Sequence, residues 1–254
     1  MHFPISKAPG PDGITPEQLY LAREQLTSPI TSLLNYLLDG QTIPPALTES
    51  TIVLLHKKGS TEKVDNYRPI CLLPTIYKAM TKAVLQRVEK CLEEAEEPTQ
   101  AGFRSRFSTL DHAHSIKQLI EKLTEYNIPS YLALVDFAKA FDSLEWPILW
   151  RALSLQGVHQ DLIALLQRLY LESKSDILVN GQPVPVSIKR GVRQGCPLSP
   201  RLFTAVLRMI LNDCDWEGDG IKVNGRNLTH LAYADDIVLI ARNRPAMERM
   251  LSKL

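Results

Sequence analysis

Leu231-Ala232-Tyr233-Ala234-Asp235-Asp236-Ile237-Val238-Leu239-Ile240-Ala241 reads as a short strand, a tight turn and a second, largely β-branched strand, with two adjacent carboxylates at the bend. Like charges side by side in apolar surroundings repel each other. A divalent cation that takes oxygen ligands is the usual remedy. Asp is also a favoured turn residue in its own right, so the reading of this stretch depends on a partner upstream.

That partner is Tyr131-Leu132-Ala133-Leu134-Val135, a strand-like run that ends on Asp136. A helical pattern begins near Trp146-Pro147, where Pro suits the first turn. An acid closing a buried strand is costly unless it is paired, hydrogen-bonded or bound to metal. If this strand lies beside the Asp235-Asp236 hairpin, three carboxylates converge. Two magnesium ions about 4 Å apart, bridged by such acids, form the arrangement that serves in-line phosphoryl transfer.

The chain has 254 residues, 44% of them hydrophobic, enough for one large domain or two small lobes. Its formal net charge is only +1, but the charges are unevenly spread. Ile177 to Leu211 holds no acid, yet carries Lys189, Arg190, Arg193, Arg201 and Arg208. Glu93, Glu94, Glu96 and Glu97 cluster near a helix end and read as a solvated surface. Cys71, Cys91, Cys196 and Cys214 lack zinc-ribbon spacing and fit reduced thiols in an intracellular protein. His112 and His114, two apart, read as surface or core residues and not as metal ligands. No signal peptide, repeat or membrane-spanning run is apparent.

Along the chain, residues 1 to 14 form a Pro/Gly-rich entry, and Thr15 with Gln18 offers a capping box that places Pro16 in the first helical turn. Pro29 divides the following pattern into two helices. Thr51 to His56 is a strand, and helices are expected near 75–95, 110–125, 147–156 and 160–172. Hairpins are expected at Asn180-Gly181 and Asn224-Gly225. A helix opens at Ser199-Pro200 and runs to about Asn212, and one short helix fits within Arg242 to Leu254. The fold class is α+β.

Further blocks complete the pattern: Lys7-Ala8-Pro9-Gly10-Pro11-Asp12-Gly13-Ile14, Asn66-Tyr67-Arg68-Pro69-Ile70, Gln100-Ala101-Gly102-Phe103-Arg104, Val135-Asp136-Phe137 through Ala140-Phe141-Asp142, and Gly191-Val192-Arg193-Gln194-Gly195-Cys196-Pro197-Leu198-Ser199-Pro200. With Tyr233-Ala234-Asp235-Asp236, and in this order, the chain resembles a reverse transcriptase of the non-LTR (LINE-type) retrotransposons, most closely the RTE-type branch. The resemblance implies a right-hand polymerase: about 1–130 mainly fingers, and about 131–254 mainly palm, with a small antiparallel sheet flanked by helices. It implies that the thumb and an upstream endonuclease domain lie outside this stretch.

The implied reaction is RNA-directed DNA synthesis, with an RNA template, a DNA primer, deoxynucleoside triphosphates and two Mg²⁺ ions, for which Mn²⁺ can substitute. No membrane partner is implied, and the setting is intracellular and nuclear. Asp136 and Asp235 match the metal ligands, the Phe137 carbonyl an extra oxygen, and Asp236 the neighbouring supporting acid. Asp142 reads more simply as a helix cap. Phe141 matches the ring that excludes a 2′-hydroxyl, which argues against an RNA product. Gln194 and Gly195 match the floor beneath the incoming base pair.

Arg68, with Lys57 or Lys58, matches the cations that meet the triphosphate. Arg104, Arg106 and Arg193 match residues that track the template. The alternative function is a non-catalytic nucleic-acid-binding or protein-binding remnant of such a domain.

Overall fold

Thr15 opens the first helix as its sequence predicts: its hydroxyl accepts from the Gln18 amide at 3.3 Å, while the Gln18 side chain accepts from the Thr15 N–H at 2.9 Å. The computed structural model describes residues 7–104, 107–179 and 181–254, so Arg106 and Asn180 fall outside the described residues. In chain order the elements are α1 (Pro16–Leu21), α2 (Arg23–Leu38), α3 (Pro45–Thr48), β1 (Glu49–His56), β2 (Tyr67–Leu72), α4 (Thr75–Ala95), α5 (Thr109–Glu125), β3 (Tyr131–Val135), α6 (Ala140–Ser143) and α7 (Trp146–Leu155). They continue with α8 (Gln160–Leu171), β4 (Lys174–Val179), β5 (Gln182–Val186), α9 (Ser199–Asp213), β6 (Ile221–Val223), β7 (Arg226–Leu228), β8 (His230–Tyr233), β9 (Asp236–Ala241) and α10 (Arg244–Lys253).

Two of these elements differ from the sequence expectation. The break in the first helical stretch falls at Ala22, and Pro29 lies inside α2. Pro29 is exposed, so water can satisfy the carbonyl left without its amide partner. Strand β2, absent from the elements expected from the sequence, contains Pro69, which cannot donate to a ladder. It is tolerated because β2 is an edge strand.

The chain forms two compact units, each built from two separated segments. The first unit comprises Met1–Cys91 and Phe141–Ser199. Its four-stranded sheet has the order β2-β1-β4-β5, with β1 antiparallel to β2 and parallel to β4. Leu37, Tyr77, Leu149, Leu153, Leu165 and Leu169 make its helical core. Arg168 caps α2 by donating to the carbonyls of Leu37, at 2.9 Å, and Gln41.

The second unit comprises Leu92–Ala140 and Pro200–Leu254. Its antiparallel sheet has the order β3-β9-β8, and the Asn224-Gly225 turn joins β6 to β7 with positive φ at both residues. Helix α5 lays Ile116, Leu119 and Leu123, one face at helical spacing, against Leu231 and Ile240 of the sheet. Among the described residues no helix is long and apolar enough to cross a membrane.

Candidate active site

The second unit brings the sequence-predicted acids together by strand pairing. Strand β3 runs antiparallel to β9, with Leu134 opposite Val238 and Val135 opposite Ile237. Asp136 directly follows β3 and Asp236 opens β9, so both acids lie at this end of the ladder. Strands β8 and β9 close with Tyr233 opposite Asp236, so Ala234 and Asp235 form a two-residue turn at the tip. Asp235 is half-buried; Asp136 and Asp236 are exposed.

None of the three carboxylate groups has an ion-pair or side-chain hydrogen-bond partner among the described residues. Nor are three His, Cys, Asp or Glu side chains grouped there as a ready-made metal cage. Uncompensated carboxylates at one end of a sheet are hard oxygen donors. They fit a cation such as Mg²⁺, which is held by one or two carboxylates and completes its shell with substrate phosphates and water.

The turn itself is under strain. Ala234 has φ +57°, at the first central position of the turn, where Gly is the usual occupant. Non-glycine residues held there cost on the order of 1–3 kcal/mol, and such strain gathers at functional sites. Both backbone polar groups of Ala234 are held by the side chain of Gln100. In the sequence Gln100 stands within a motif, and nothing local gives it a task.

The first unit carries the other predicted residues. Phe141 is half-buried and opens the segment that leads through α6. Its carbonyl accepts from Val192 N–H at 2.8 Å, and Gly191 N–H donates to the Leu144 carbonyl at 2.6 Å. Trp146 Nε1 donates to the Gly191 carbonyl at 3.0 Å, completing the seam. Gln194 is anchored on this seam: its amide nitrogen donates to Asp142 Oδ1 at 2.7 Å. That bond gives Asp142 a role beyond capping its own helix. The Gln194 carbonyl accepts from Cys71 N–H at 2.8 Å.

Gly195 has φ +116°, and a Cβ there would meet the Cys71 carbonyl oxygen at 2.7 Å. The close approach that requires Gly is therefore to β2. A cavity of about 210 Å³ opens beside this loop, lined in part by Pro69, Cys71, Asp142, Arg193 and Gln194.

The cations divide into two groups. Arg68 on β2, and Lys57 and Lys58 in the loop after β1, are exposed. Arg193 and Arg104 make contacts within the protein. Arg193 is 7% exposed and lies between the Tyr77 and Tyr170 rings. Arg104 donates to the carbonyls of Glu97 and Gln100 at 2.9 and 3.1 Å and covers the Phe107 ring. Burial keeps Arg193 within the protein, while Arg104 is half-buried and uses one guanidinium nitrogen on its own segment. Arg106 lies outside the described residues.

The family described as reverse transcriptase (RNA-dependent DNA polymerase) matches residues 55–254. The transposon TX1 uncharacterized 149 kDa protein of Xenopus laevis is 27% identical over 97% of this chain and 19% of its own length. The Pol polyprotein of the type-2 retrotransposable element R2DM of Drosophila melanogaster is 28% identical over 98% and 23%. That of the type-1 element R2 of Popillia japonica is 30% identical over 93% and 33%. The chain thus spans a third or less of the length of these relatives. Among solved structures, apo telomerase from Candida tropicalis, truncated from its C-terminal domain, superposes with a TM-score of 0.61 at 16% identity, covering 84% of this chain and 47% of that one. The shared fold is that of polymerase fingers and palm.

Proposed function

The chain belongs to the reverse transcriptase (RNA-dependent DNA polymerase) family, and from that premise we propose that it adds deoxynucleotides to a DNA primer on an RNA template for a non-LTR retrotransposon. The RTE-type branch is part of this proposal, as is work in the nucleus beside an endonuclease domain and a thumb. The observation that carries it is the β3–β9 register, which aligns Asp136 with the Asp235-Asp236 hairpin at one sheet end.

Reverse transcriptases generally use divalent metals. In this chain Asp136 and Asp235 would hold Mg²⁺, with the Phe137 carbonyl as a further oxygen and Asp236 beside them. When bound, the two ions acidify the primer 3′-hydroxyl and stabilise charge on the departing pyrophosphate. The chain's own residues supply position and selection. Arg68, with Lys57 or Lys58, meets the triphosphate oxygens; a guanidinium suits them through its forked donors. Phe141 lies under the sugar, where its ring leaves no room for a 2′-hydroxyl. Gln194, fixed by Asp142, presents a rigid edge beneath the base pair, and Gly195 keeps that loop tight on β2. RNA as the template strand is supported by the match to the RNA-dependent DNA polymerase family.

Proton relaxation of Mn²⁺ titrated into the chain, with and without a deoxynucleoside triphosphate, tests the reading. Carboxylates that need substrate phosphates to complete a metal shell predict affinity at least about tenfold higher with nucleotide present. Asp235→Asn removes that gain. The same response in wild type and Asp235→Asn would rule the acids out as the metal site.

A further inference from the structure

We propose that Gln100 is a positioning residue for catalysis: its buried amide holds the strained Ala234 turn and so fixes where Asp235 is presented. The proposal deepens the polymerase reading and rests on it. Gln100 is 5% exposed and Ala234 6%. Gln100 Oε1 accepts from Ala234 N–H at 3.0 Å and from Gly102 N–H at 2.7 Å, and Nε2 donates to the Ala234 carbonyl at 3.3 Å. One side chain therefore grips both backbone groups of the one turn residue with positive φ. Asn carries the same amide on a shorter stem, and an ionised Glu has no donor. Without it, two buried backbone groups of the turn would lack partners, and the φ of Ala234 would lose what enforces it.

The neighbours of Gln100 are built for the same purpose. Gly102 stands so close that a Cβ would meet Ala234 N at 2.1 Å, so only Gly lets the segment seat. The segment is fastened to β8 by Ala232 N–H to the Thr99 carbonyl at 2.7 Å and Ala101 N–H to the Ala232 carbonyl at 2.9 Å. His112 Nε2 lies 3.0 and 3.1 Å from those same two carbonyls, so that nitrogen bears the proton and bridges them. The Gln-Ala-Gly run thus reads as a bracket: Gln grips the turn, Ala fills the buried gap, and Gly yields space.

The test uses the whole chain, comparing wild type with Gln100→Ala and Gln100→Glu in amide hydrogen exchange and single-nucleotide addition. Glu keeps the acceptors but sets a carboxylate against the Ala234 carbonyl. In Gln100→Ala, exchange at the Ala234 amide rises by roughly tenfold or more while Leu239, in β9, stays unchanged. The kcat falls about 100-fold, the scale of an ångström misplacement, with KM for the nucleotide within roughly threefold. Gln100→Glu falls between the two. Unchanged exchange at Ala234, equal acceleration at Leu239, or an unchanged kcat would overturn the proposal. If Ala234 responds but wild type adds no nucleotide, the clamp stands and the polymerase reading falls.

Discussion

Arg193 sets its guanidinium carbon 4.9 Å from the centroid of the Tyr77 ring and 5.6 Å from that of Tyr170, while Nη2 donates to the Leu169 carbonyl at 3.1 Å. A cation desolvated between two phenol rings gains on the order of 2 kcal/mol from the ring faces, beyond its packing. Arg193→Ala is therefore expected to lower unfolding stability by about 3 kcal/mol, in the range of core truncations. The slope of template affinity against salt should stay as in wild type, since removing a cation that meets a phosphate would reduce it by about one. Denaturant unfolding and salt-dependent binding check the two halves. In the sequence, Arg193 reads as one more cation in an acid-free stretch, because charge type is local and burial is not. The acids are legible for the opposite reason. A carboxylate closing an apolar strand has few uses, and the sequence displays both the strand and its end. Gln100 is an amide in a motif until the fold shows what it grips.

The C-terminal end of α4 shows how an element reassigns its residues. The run Glu93 to Glu97 reads as a solvated face, yet Glu93 pairs with the buried Arg201 at 2.7 Å and Glu96 is half-buried. Burial raises the Glu96 carboxyl to about 7, against the opposing pull of Arg208, Arg104 and Arg201. A folded-state pKa above the unfolded value means the folded chain holds a proton that the unfolded chain releases. Its contribution is full below about pH 4.5, falls as pH rises toward 7, and levels off above. Glu96→Gln should therefore leave the melting temperature near wild type at pH 4.5. Above pH 7 it should add roughly 1–2 kcal/mol, allowing for solvent screening. Thermal melts across that range check the sign. Turns and caps are the most legible elements: Thr15 and Gln18, and Asn224-Gly225, act within four residues of themselves. Pro29 misleads for a physical reason. The cost of proline depends on whether its missing N–H faces a partner, and that is a property of the neighbouring strand or of the solvent.

On the scale of the molecule, the pairings that define the two units join distant sequence. Glu49 pairs with Lys174 in the parallel ladder, and Tyr131 with Ala241 in the antiparallel one. Local periodicity cannot announce such partners. The second ladder is legible only because acids mark both of its strands at one end. With a net charge of +1, template binding must come from where the cations stand and not from their sum. The most direct test of the polymerase reading is addition of a single deoxynucleotide to a DNA primer annealed to RNA, with each base offered in turn. The wild-type chain is expected to add the complementary base, and Asp136→Asn and Asp235→Asn to lose on the order of a thousandfold in rate while still binding the duplex. No templated addition by wild type, or addition undiminished in both variants, would contradict it.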